Sequence, residues 1–221
     1  MMTSLPPDPT LDEIRDGLAP GIAANAAFDG WSDAAVAAAA QAAGIDADVA
    51  RLAFPGGAVD MIDAWFAGID RDMLAAVPPT RLAAMKVRGK ITALVEARLT
   101  LLAPNRESLR RALAILALPQ HVTRAATLGW RAANAMWRAA GDTATDYNHY
   151  TKRAMLGGIY AATITVFVND ESAGWADTRG FLARRIEGIM RFEKAKAGFL
   201  KRVEHRPSLS RFIGRLRYPV V

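Results

Sequence analysis

The chain has 221 residues, enough for one large domain or two small ones with a substantial core. Hydrophobic residues make up 52% and charged residues 23%, as in ordinary globular proteins, and no apolar run reaches the roughly 18 residues of a spanning helix. The lack of cysteine excludes disulfides, thiolate catalysis and cysteine-ligated zinc. The first residues have neither the basic start nor the apolar segment of a secretory signal, so we expect no targeting peptide.

The net charge of +6 is distributed unevenly along the chain. Residues 191–221 carry nine basic and two acidic residues, a net charge of +7. The other 190 residues carry 19 basic and 20 acidic ones, a net charge of −1. The high pI therefore comes from the C-terminal region alone.

The N-terminal region predicts a leader followed by three short helices. The first nine residues contain three prolines and are expected to be disordered. The predicted helices and their N-cap residues are 10–27 with Thr10, 32–43 with Ser32, and 46–54 with Asp46. Pro20 is expected to interrupt the first helix. Three short helices with tight turns predict a helix-turn-helix-like domain over residues 10–57.

The charge of residues 10–57 opposes nucleic-acid binding. The segment has seven acidic residues and two basic ones, Arg15 and Arg51, a net charge of −5. Contacts of Lys and Arg with phosphates supply nearly all non-specific DNA affinity. The helix that would contact DNA bases, residues 47–54, offers only Arg51 as a donor. We expect no nucleic-acid partner and interpret the domain as a three-helix cap on the bundle. The alternative is a ligand-responsive transcription regulator.

Residues 58–196 predict a bundle of longer helices. Apolar residues recur there at helical spacing, in segments separated by proline or glycine. The segments are Val59–Met73, Ile91–Leu102, Leu109–Leu116 and Trp130–Trp137. Ala154–Val168 is uncharged and apolar on all sides, which predicts a central buried helix, and Trp175 begins the last long helix. Since no segment offers a partner strand, the predicted fold class is all-α.

A polar and aromatic face is predicted where the Ala154–Val168 helix begins. With Thr145 as N-cap, Asp146, His149, Tyr150 and Arg153 fall at i, i+3, i+4 and i+7 of one helix. Such a face favours binding and docking over bond-making. The alternative is half of a metal site at Asp146 and His149, but a di-iron bundle needs two Glu-x-x-His helices and further carboxylates. No second copy is present, and we expect no catalytic residue, metal or cofactor.

Residues 197–221 predict a basic amphipathic tail. Its apolar stripe is Leu209, Phe212, Ile213 and Leu216, and the basic residues beside it are Arg211 and Arg215. A basic amphipathic helix is typical of a membrane surface, where each Lys or Arg contributes about 1 kcal/mol. The alternative is that the stripe packs on the bundle and leaves the arginines solvated.

One known family has a signature similar to residues 141–163, which read GDTATDYNHYTKRAMLGGIYAAT. It is the ubiquinone-biosynthesis accessory protein family, the ninth member of the eukaryotic coenzyme Q set. The turn Gly30–Ser32, the break Phe54–Gly57 and the segment Leu113–Pro119 also resemble this family. The similar segments occur in the family's order, between about Thr10 and Lys196.

The resemblance implies a TetR-like helical bundle that has lost DNA binding, and a non-catalytic lipid-binding protein. In the family, an isoprenoid lipid such as a ubiquinone precursor sits in the bundle cavity, and a C-terminal amphipathic helix engages the membrane. In eukaryotes the precursor is presented to the di-iron hydroxylase that acts on demethoxyubiquinone. We therefore expect a lipid, a hydroxylase and a membrane surface as partners of this chain, which we also expect to be a homodimer.

The family's partner-docking patch matches Asp146, Tyr150 and Arg153. His149 stands where better-known members carry a tryptophan, so a hot-spot anchor is missing and the hydroxylase differs or binds more weakly. Since no transit segment is visible, we expect a bacterial protein in the cytoplasm, on the cytoplasmic face of the inner membrane.

The lipid cavity is expected inside the bundle, between residues 61–73, 91–102 and 155–167. The predicted lipid contacts are Met61, Trp65, Ile91, Val95, Met155, Ile159 and Tyr160. Four small residues would leave room beside the last helix, Gly157, Gly158, Ala161 and Ala162, whereas a close-packed core leaves no void larger than a water molecule. The alternative is that these small residues let two helices approach closely.

Overall fold

The computed structural model describes residues 6, 8–143, 145 and 147–204, with side chains described as far as residue 189 and at Arg191. Within these residues the chain forms ten α-helices and three short 3-10 helices, with no strand. The predicted all-α class is confirmed. The chain divides into two compact units, Met1–Leu182 and Ala183–Val221. None of the described helices combines the length and apolar character needed to cross a membrane.

Three helices follow one another through tight turns at the N-terminus, as predicted. They are α1 (Leu11–Asp29), α2 (Asp33–Ala43) and α3 (Ala47–Leu52). A capping box begins α1: the Thr10 hydroxyl accepts from the Glu13 N–H, and the Glu13 carboxylate accepts from the Thr10 N–H. The Asp46 carboxylate accepts from two N–H groups of α3. Both residues therefore satisfy backbone donors that a helix start leaves unpaired.

Two local expectations in this region are wrong. α1 continues through Pro20, whose ring lies on the exposed side of the helix, so the loss of one backbone donor does not break it. Ser32 precedes α2 without capping it, because its hydroxyl donates to the Asp29 carbonyl instead.

Four helices follow: α4 (Ala58–Ala76), α5 (Pro79–Ala83), α6 (Val87–Leu102) and α7 (Arg106–Leu116). The short α5 was not predicted, because a proline pair was interpreted only as a stop. Pro79 in fact occupies the first turn of α5, where a fixed φ suits the helix and no N–H is needed. A 3-10 turn, Ala103–Asn105, is all that separates α6 from α7.

The last helices are α8 (Val122–Ala139), α9 (Tyr147–Phe167) and α10 (Ala176–Glu204). The expectation that α9 is buried on all sides is wrong. Its buried stripe is Leu156, Tyr160, Ile164 and Phe167, and its exposed stripe is Ala154, Gly158, Ala161 and Thr165. The exposed residues are small, so an uncharged sequence here does not mean a large apolar face that must be covered.

A ladder of ion pairs joins the four helices α1, α4, α6 and α8, and we call it the α4 ion ladder. Asp60, Asp63 and Asp70 project from α4. Their arginine partners are Arg15 of α1, Arg124 and Arg131 of α8, and Arg98 of α6. The Arg98 side chain, 1% exposed, also donates from Nε to the Tyr160 hydroxyl of α9 at 2.7 Å. Each aspartate bridges two arginines, so the ladder is continuous from α1 to α6, and the Arg98 hydrogen bond extends it to α9.

Arginines of α7 hold the end of α9. One Nη of Arg106 donates to the carbonyls of Phe167 and Asp170, each at 2.7 Å, and Arg110 donates to the carbonyl of Val168. These carbonyls lie at or just beyond the last turn of α9, where the helix provides no donors and carries its negative end.

Asp170 joins α9 to α10. Its carboxylate accepts from the N–H and hydroxyl groups of both Ser172 and Thr178. These hydrogen bonds, those of the Ser172 and Thr178 hydroxyls first, lower the pKa of Asp170 well below its usual value. The connection is therefore built around a carboxylate that stays ionised.

Asp70→Asn should destabilise the fold far more than Asp72→Asn, a matched change at an exposed residue of α4. Removing one partner of a buried ion pair costs roughly 3–5 kcal/mol, and asparagine keeps one acceptor oxygen, so we expect about 3 kcal/mol. The control should stay within about 0.5 kcal/mol. Urea denaturation followed by circular dichroism measures both. Equal midpoints would show that the ladder does not stabilise the fold.

Candidate functional site

An apolar groove of about 490 Å³ lies between α4, α6, α7, α8 and α9. Its volume falls within the roughly 300–1,000 Å³ typical of small-molecule sites. The lining residues are Phe66, Arg98, Arg110, Leu113, Ala114, Leu116, Ala117, Ala125, Leu128, Gly129, Ala132, Tyr160, Ala161, Ile164, Thr165 and Val168. Most of them are aliphatic or small, so the groove suits an apolar chain.

Two of the polar lining residues, Arg98 and Tyr160, form a buried pair. The guanidinium of Arg98 lies 4.8 Å from the centre of the Tyr160 ring and donates to its hydroxyl. Burial raises the pKa of Tyr160 above its ordinary value, so its side chain is a neutral phenol at physiological pH. The groove therefore has a polar element within otherwise apolar walls.

The structure brings together only part of the predicted lipid-binding set. Tyr160 lines the groove, but Met61, Trp65 and Val95 are close-packed elsewhere in the core, with at most 4% of each exposed. Three more, Ile91, Met155 and Ile159, also lie outside the lining. The predicted helices α4, α6 and α9 each contribute to the groove: α9 through the predicted Tyr160, and α4 and α6 through Phe66 and Arg98, which were not among the predicted contacts.

Sequence reasoning missed the contribution of α7 and α8. On α8 the lining residues Ala125, Gly129 and Ala132 are spaced i, i+4 and i+7, which places small side chains on one helix face. That spacing was visible in the sequence. It is the signal that would have identified α8 as a groove wall.

The glycines of α9 have two different roles. A Cβ atom added at Gly157 would lie 3.5 Å from the Gly129 carbonyl oxygen of α8, whereas one added at Gly158 would meet no atom within 4 Å. Gly157 thus marks a close approach of two helices, the alternative raised from the sequence. Among the four small residues proposed to make room, Ala161 is the one that lines the groove.

An aromatic cluster lies on the surface formed by α8 and α9. Trp130 stacks on Tyr150 with ring centres 6.0 Å apart, and the His149 ring lies 6.3 Å from Trp130 and 5.1 Å from Tyr150. Trp130 is 36% and Tyr150 61% exposed. The structure thus brings His149 and Tyr150 together, as predicted, and adds a tryptophan from the neighbouring helix.

Arg153 does not share that exposed face, in contrast to the prediction. Its side chain is 1% exposed and donates to Asn134, to the Asp142 carboxylate at 3.0 Å and to the His149 carbonyl. Burial alone would raise the pKa of Asp142, but hydrogen bonds from Lys152 and Arg153 outweigh it and lower the pKa. A buried guanidinium needs such partners, and Arg153 finds them inside the fold, so it is a structural residue.

Two groups of predicted residues lie outside the described part of the chain. They are Asp146, proposed for partner docking, and the tail residues Leu209, Arg211, Phe212, Ile213, Arg215 and Leu216, proposed for membrane binding. They remain predictions. Among the described residues, α9 begins at Tyr147.

The helix that would contact DNA bases in a helix-turn-helix domain, α3, has few features of a DNA-binding surface. Its only base, Arg51, pairs with Asp48 on the same helix. Two apolar residues, Val49 and Leu52, are 43% and 66% exposed beside that pair. An acidic and apolar surface offers little to a phosphate backbone.

Comparison with known proteins relates the chain to one family. The profile of the COQ9 family matches residues 122–193. Ubiquinone biosynthesis protein COQ9, mitochondrial, of Rattus norvegicus is 45% identical over 96 residues, which cover 43% of this chain and 31% of the rat protein. The Homo sapiens protein is 43% identical over 96 residues, which cover 43% of this chain and 30% of that protein. The chain therefore spans about a third of the length of these relatives.

The match extends further in more distant relatives. The Drosophila melanogaster COQ9 protein is 25% identical over 187 residues, which cover 83% of this chain and 57% of that protein. A crystal structure of a TetR transcriptional regulator from Nitrosomonas europaea superposes with a TM-score of 0.63 and 24% identity, covering 79% of this chain and 96% of the regulator. This likeness confirms the predicted TetR-like fold and concerns the fold alone.

The expected bacterial, cytoplasmic localisation is wrong by this comparison. The rat, human and Schizosaccharomyces pombe relatives are named as mitochondrial proteins. The expectation had been drawn from the first residues of the chain, which carry less information than the relatives do.

Arg153→Ala should destabilise the protein much more than Tyr150→Ala. Loss of the buried guanidinium leaves the Asp142 carboxylate without one of its two cations, at a cost of roughly 3–5 kcal/mol. Tyr150 is exposed and contributes at most the roughly 1.5 kcal/mol of an aromatic pair. Thermal and urea denaturation of both variants measure the difference. If Tyr150→Ala proved the more damaging change, the structural role of Arg153 would be wrong.

The sequence signature, residues 141–163, and the family profile, residues 122–193, fall on the same part of the chain, α8 through α10. That part contributes both surfaces described above, the groove wall and the aromatic cluster. The 79% of the chain that superposes on the TetR regulator has a TetR-like fold. Residues 122–193 thus match the profile of the COQ9 family, and the chain is similar over 96 residues to ubiquinone biosynthesis proteins of that name.

Proposed function

We propose that this protein acts in ubiquinone biosynthesis as a non-catalytic lipid-binding accessory protein. It holds an isoprenoid quinone precursor in the apolar groove and presents it to a hydroxylase at a membrane. The observation that carries the proposal is the position of the groove. Nine of its sixteen lining residues come from residues 122–193, the span that matches the COQ9 family.

The walls of the groove support an isoprenoid ligand. Burying one CH₂ group contributes about 0.8 kcal/mol, so a five-carbon isoprene unit contributes about 4 kcal/mol. Leu113, Leu128 and Ile164 offer aliphatic surface, and Ala125 and Gly129 leave space beside it. A lipid tail bound there would be removed from water, and it would need no polar partner along its length.

The polar lining residues support a binding role over a catalytic one. They are Arg98, Arg110, Tyr160 and Thr165. Arginine stays protonated at physiological pH, and burial raises the pKa of Tyr160, so neither type is a general base there. The Thr165 hydroxyl donates to the Ala161 carbonyl of its own helix and has no base beside it in the lining.

The aromatic cluster is the surface we propose for the hydroxylase. Large, exposed aromatic rings are the residues most often found as binding hot spots. Trp130 and Tyr150 stack on each other. Trp130 thus provides a tryptophan at this surface, where His149 stands in place of the tryptophan of better-known family members. Trp130 also follows Gly129, a groove-lining residue, directly in α8, and this closeness supports docking at the aromatic cluster.

The membrane contact in this proposal comes from the basic tail, residues 197–221, and the protein acts as a homodimer. A ligand-responsive transcription regulator is the alternative, and the TetR-like fold favours it. The net charge of −5 on residues 10–57 and the Asp48–Arg51 pair on α3 oppose that alternative.

Gly129→Leu should abolish lipid uptake without unfolding the protein. A Cβ atom added at Gly129, which lines the groove, meets nothing within 4 Å, and one added at Gly158, which is not a lining residue, is equally free. Either change removes a helix glycine, which favours folding by about 0.8–1 kcal/mol. Gly158→Leu is therefore the matched control.

Lipids extracted from each purified variant are identified by mass spectrometry, and decylubiquinone binding is titrated. We expect prenylated lipid in wild type and Gly158→Leu, and at least a tenfold loss of affinity in Gly129→Leu. Wild-type protein that carries no lipid and takes up no decylubiquinone would contradict the proposed function.

Trp130→Ala and Tyr150→Ala should each weaken hydroxylase binding. A hot-spot aromatic contributes about 2 kcal/mol or more, which corresponds to at least a thirtyfold change in Kd. Val122→Ala alters another exposed apolar residue of α8, 56% exposed, and should change Kd less than twofold. Surface plasmon resonance with the purified hydroxylase measures all three. Equal binding by all variants would place the docking surface elsewhere.

A further inference from the structure

The Arg98–Tyr160 pair has a feature that packing does not require. Tyr160 is 5% exposed and lines the apolar groove. Its hydroxyl oxygen accepts a hydrogen bond of 2.7 Å from Arg98 Nε. Since arginine has no acceptor, this bond leaves the hydroxyl hydrogen of Tyr160 unused.

That hydrogen has no acceptor among the described residues of the chain: Arg98 is the one hydrogen-bond partner of the Tyr160 hydroxyl there. Leaving a buried donor unsatisfied is costly, and such groups are rare in folded proteins. Because burial raises the pKa of Tyr160, the hydroxyl keeps its proton and remains a donor. Tyr160, a residue of the groove lining, therefore keeps one donor that calls for an oxygen acceptor from a bound molecule.

The charges around the pair restrict what that molecule carries. Arg98 already pairs with Asp70, which also binds Arg131. Four arginines and three aspartates make up the α4 ion ladder, so its positive charge is mostly neutralised. A phosphate would lose its hydration and find little net charge in return. For a carbonyl or phenolic oxygen, which is uncharged, the free-energy cost of leaving water is much smaller.

We propose that the Tyr160 hydroxyl, held by Arg98, binds an oxygen of the ligand's aromatic or quinone headgroup, so that the ligand lies with its head in the groove and its tail along the α7 and α8 walls. This inference rests on the proposed lipid-binding function and adds to it the residues that bind the headgroup and the ligand's direction. Tyr160 and Arg98 then select oxygenated rings over hydrocarbons of the same size.

Three probes with one decyl chain each separate the possibilities. Decylubiquinone has ring oxygens, decylbenzene has a ring without oxygens, and monodecyl phosphate has a charged headgroup. The full chain, freed of lipid, is titrated with each by isothermal calorimetry. We expect it to bind decylubiquinone at least threefold more tightly than decylbenzene, as one net hydrogen bond allows, and more tightly than monodecyl phosphate.

Tyr160→Phe should weaken decylubiquinone binding by about threefold to tenfold and leave decylbenzene binding unchanged. The matched control is Thr127→Val, which removes an exposed hydroxyl outside the groove lining that already donates to its own helix. It should change neither affinity by more than twofold. Thermal melting confirms that each variant is folded.

A second measurement needs only wild-type protein, in case Tyr160→Phe does not fold. Infrared difference spectroscopy of ¹³C-carbonyl-labelled decylubiquinone should show one carbonyl band shifted to lower wavenumber on binding, since a hydrogen bond weakens the C=O bond. An unshifted pair of bands would overturn the headgroup contact.

The outcomes separate this inference from the proposed function. If none of the decyl probes binds, the lipid-binding function fails. If decylubiquinone and decylbenzene bind equally and Tyr160→Phe alters neither, the groove binds lipid but the headgroup contact is wrong. A Tyr160→Phe variant that loses affinity equally for both probes would show a packing role only, and preferred binding of monodecyl phosphate would overturn the uncharged headgroup.

Discussion

The buried ion pair between Arg98 and Asp70 is the interaction on which the rest of the bundle depends. A guanidinium that is 1% exposed loses its hydration and stays in place only where charged and polar partners surround it. Asp70 and Tyr160 provide those partners from α4 and α9. The positions of three helices are thereby tied to one side chain, and Tyr160 is held where it faces the groove.

The same principle fixes α9 at both ends. At its N-terminal end the buried Arg153 joins it to Asp142 in the preceding turn. At its C-terminal end Arg106 and Arg110 of α7 bind the last carbonyls. Polar contacts at the two ends locate the helix, so its middle need not be filled by large side chains. Small residues such as Ala161 can then leave a groove open without loss of position.

Much of the local structure was predictable, because it depends on neighbours in sequence. Thr10 and Asp46 cap their helices through hydrogen bonds to residues within three positions, and the apolar seam of α4 follows helical spacing. Ser32 failed as a cap because a different local bond, to the Asp29 carbonyl, was equally within reach. The resemblance carried by residues 141–163 led to the correct family and fold.

The candidate site was less predictable, because it depends on contacts between helices distant in sequence. Met61, Trp65 and Val95 have the apolar character of a lipid site, yet the core uses them for packing. Arg153 shares a helix face with Tyr150 by spacing, but its long side chain reaches inward to Asp142 and Asn134. Helical periodicity assigns a face to a residue. It does not say how far a long side chain extends from that face or which charge it meets.

The hydrogen bonds around Asp170 have a consequence for the C-terminal region. Ser172 and Thr178 bind one carboxylate through both backbone and side chain, so the bend between α9 and the first turn of α10 has a set angle. Because the pKa of Asp170 is lowered, changes of acidity near neutral pH do not loosen this bend. The first turn of α10 is therefore held to the end of α9 by a carboxylate that stays ionised near neutral pH.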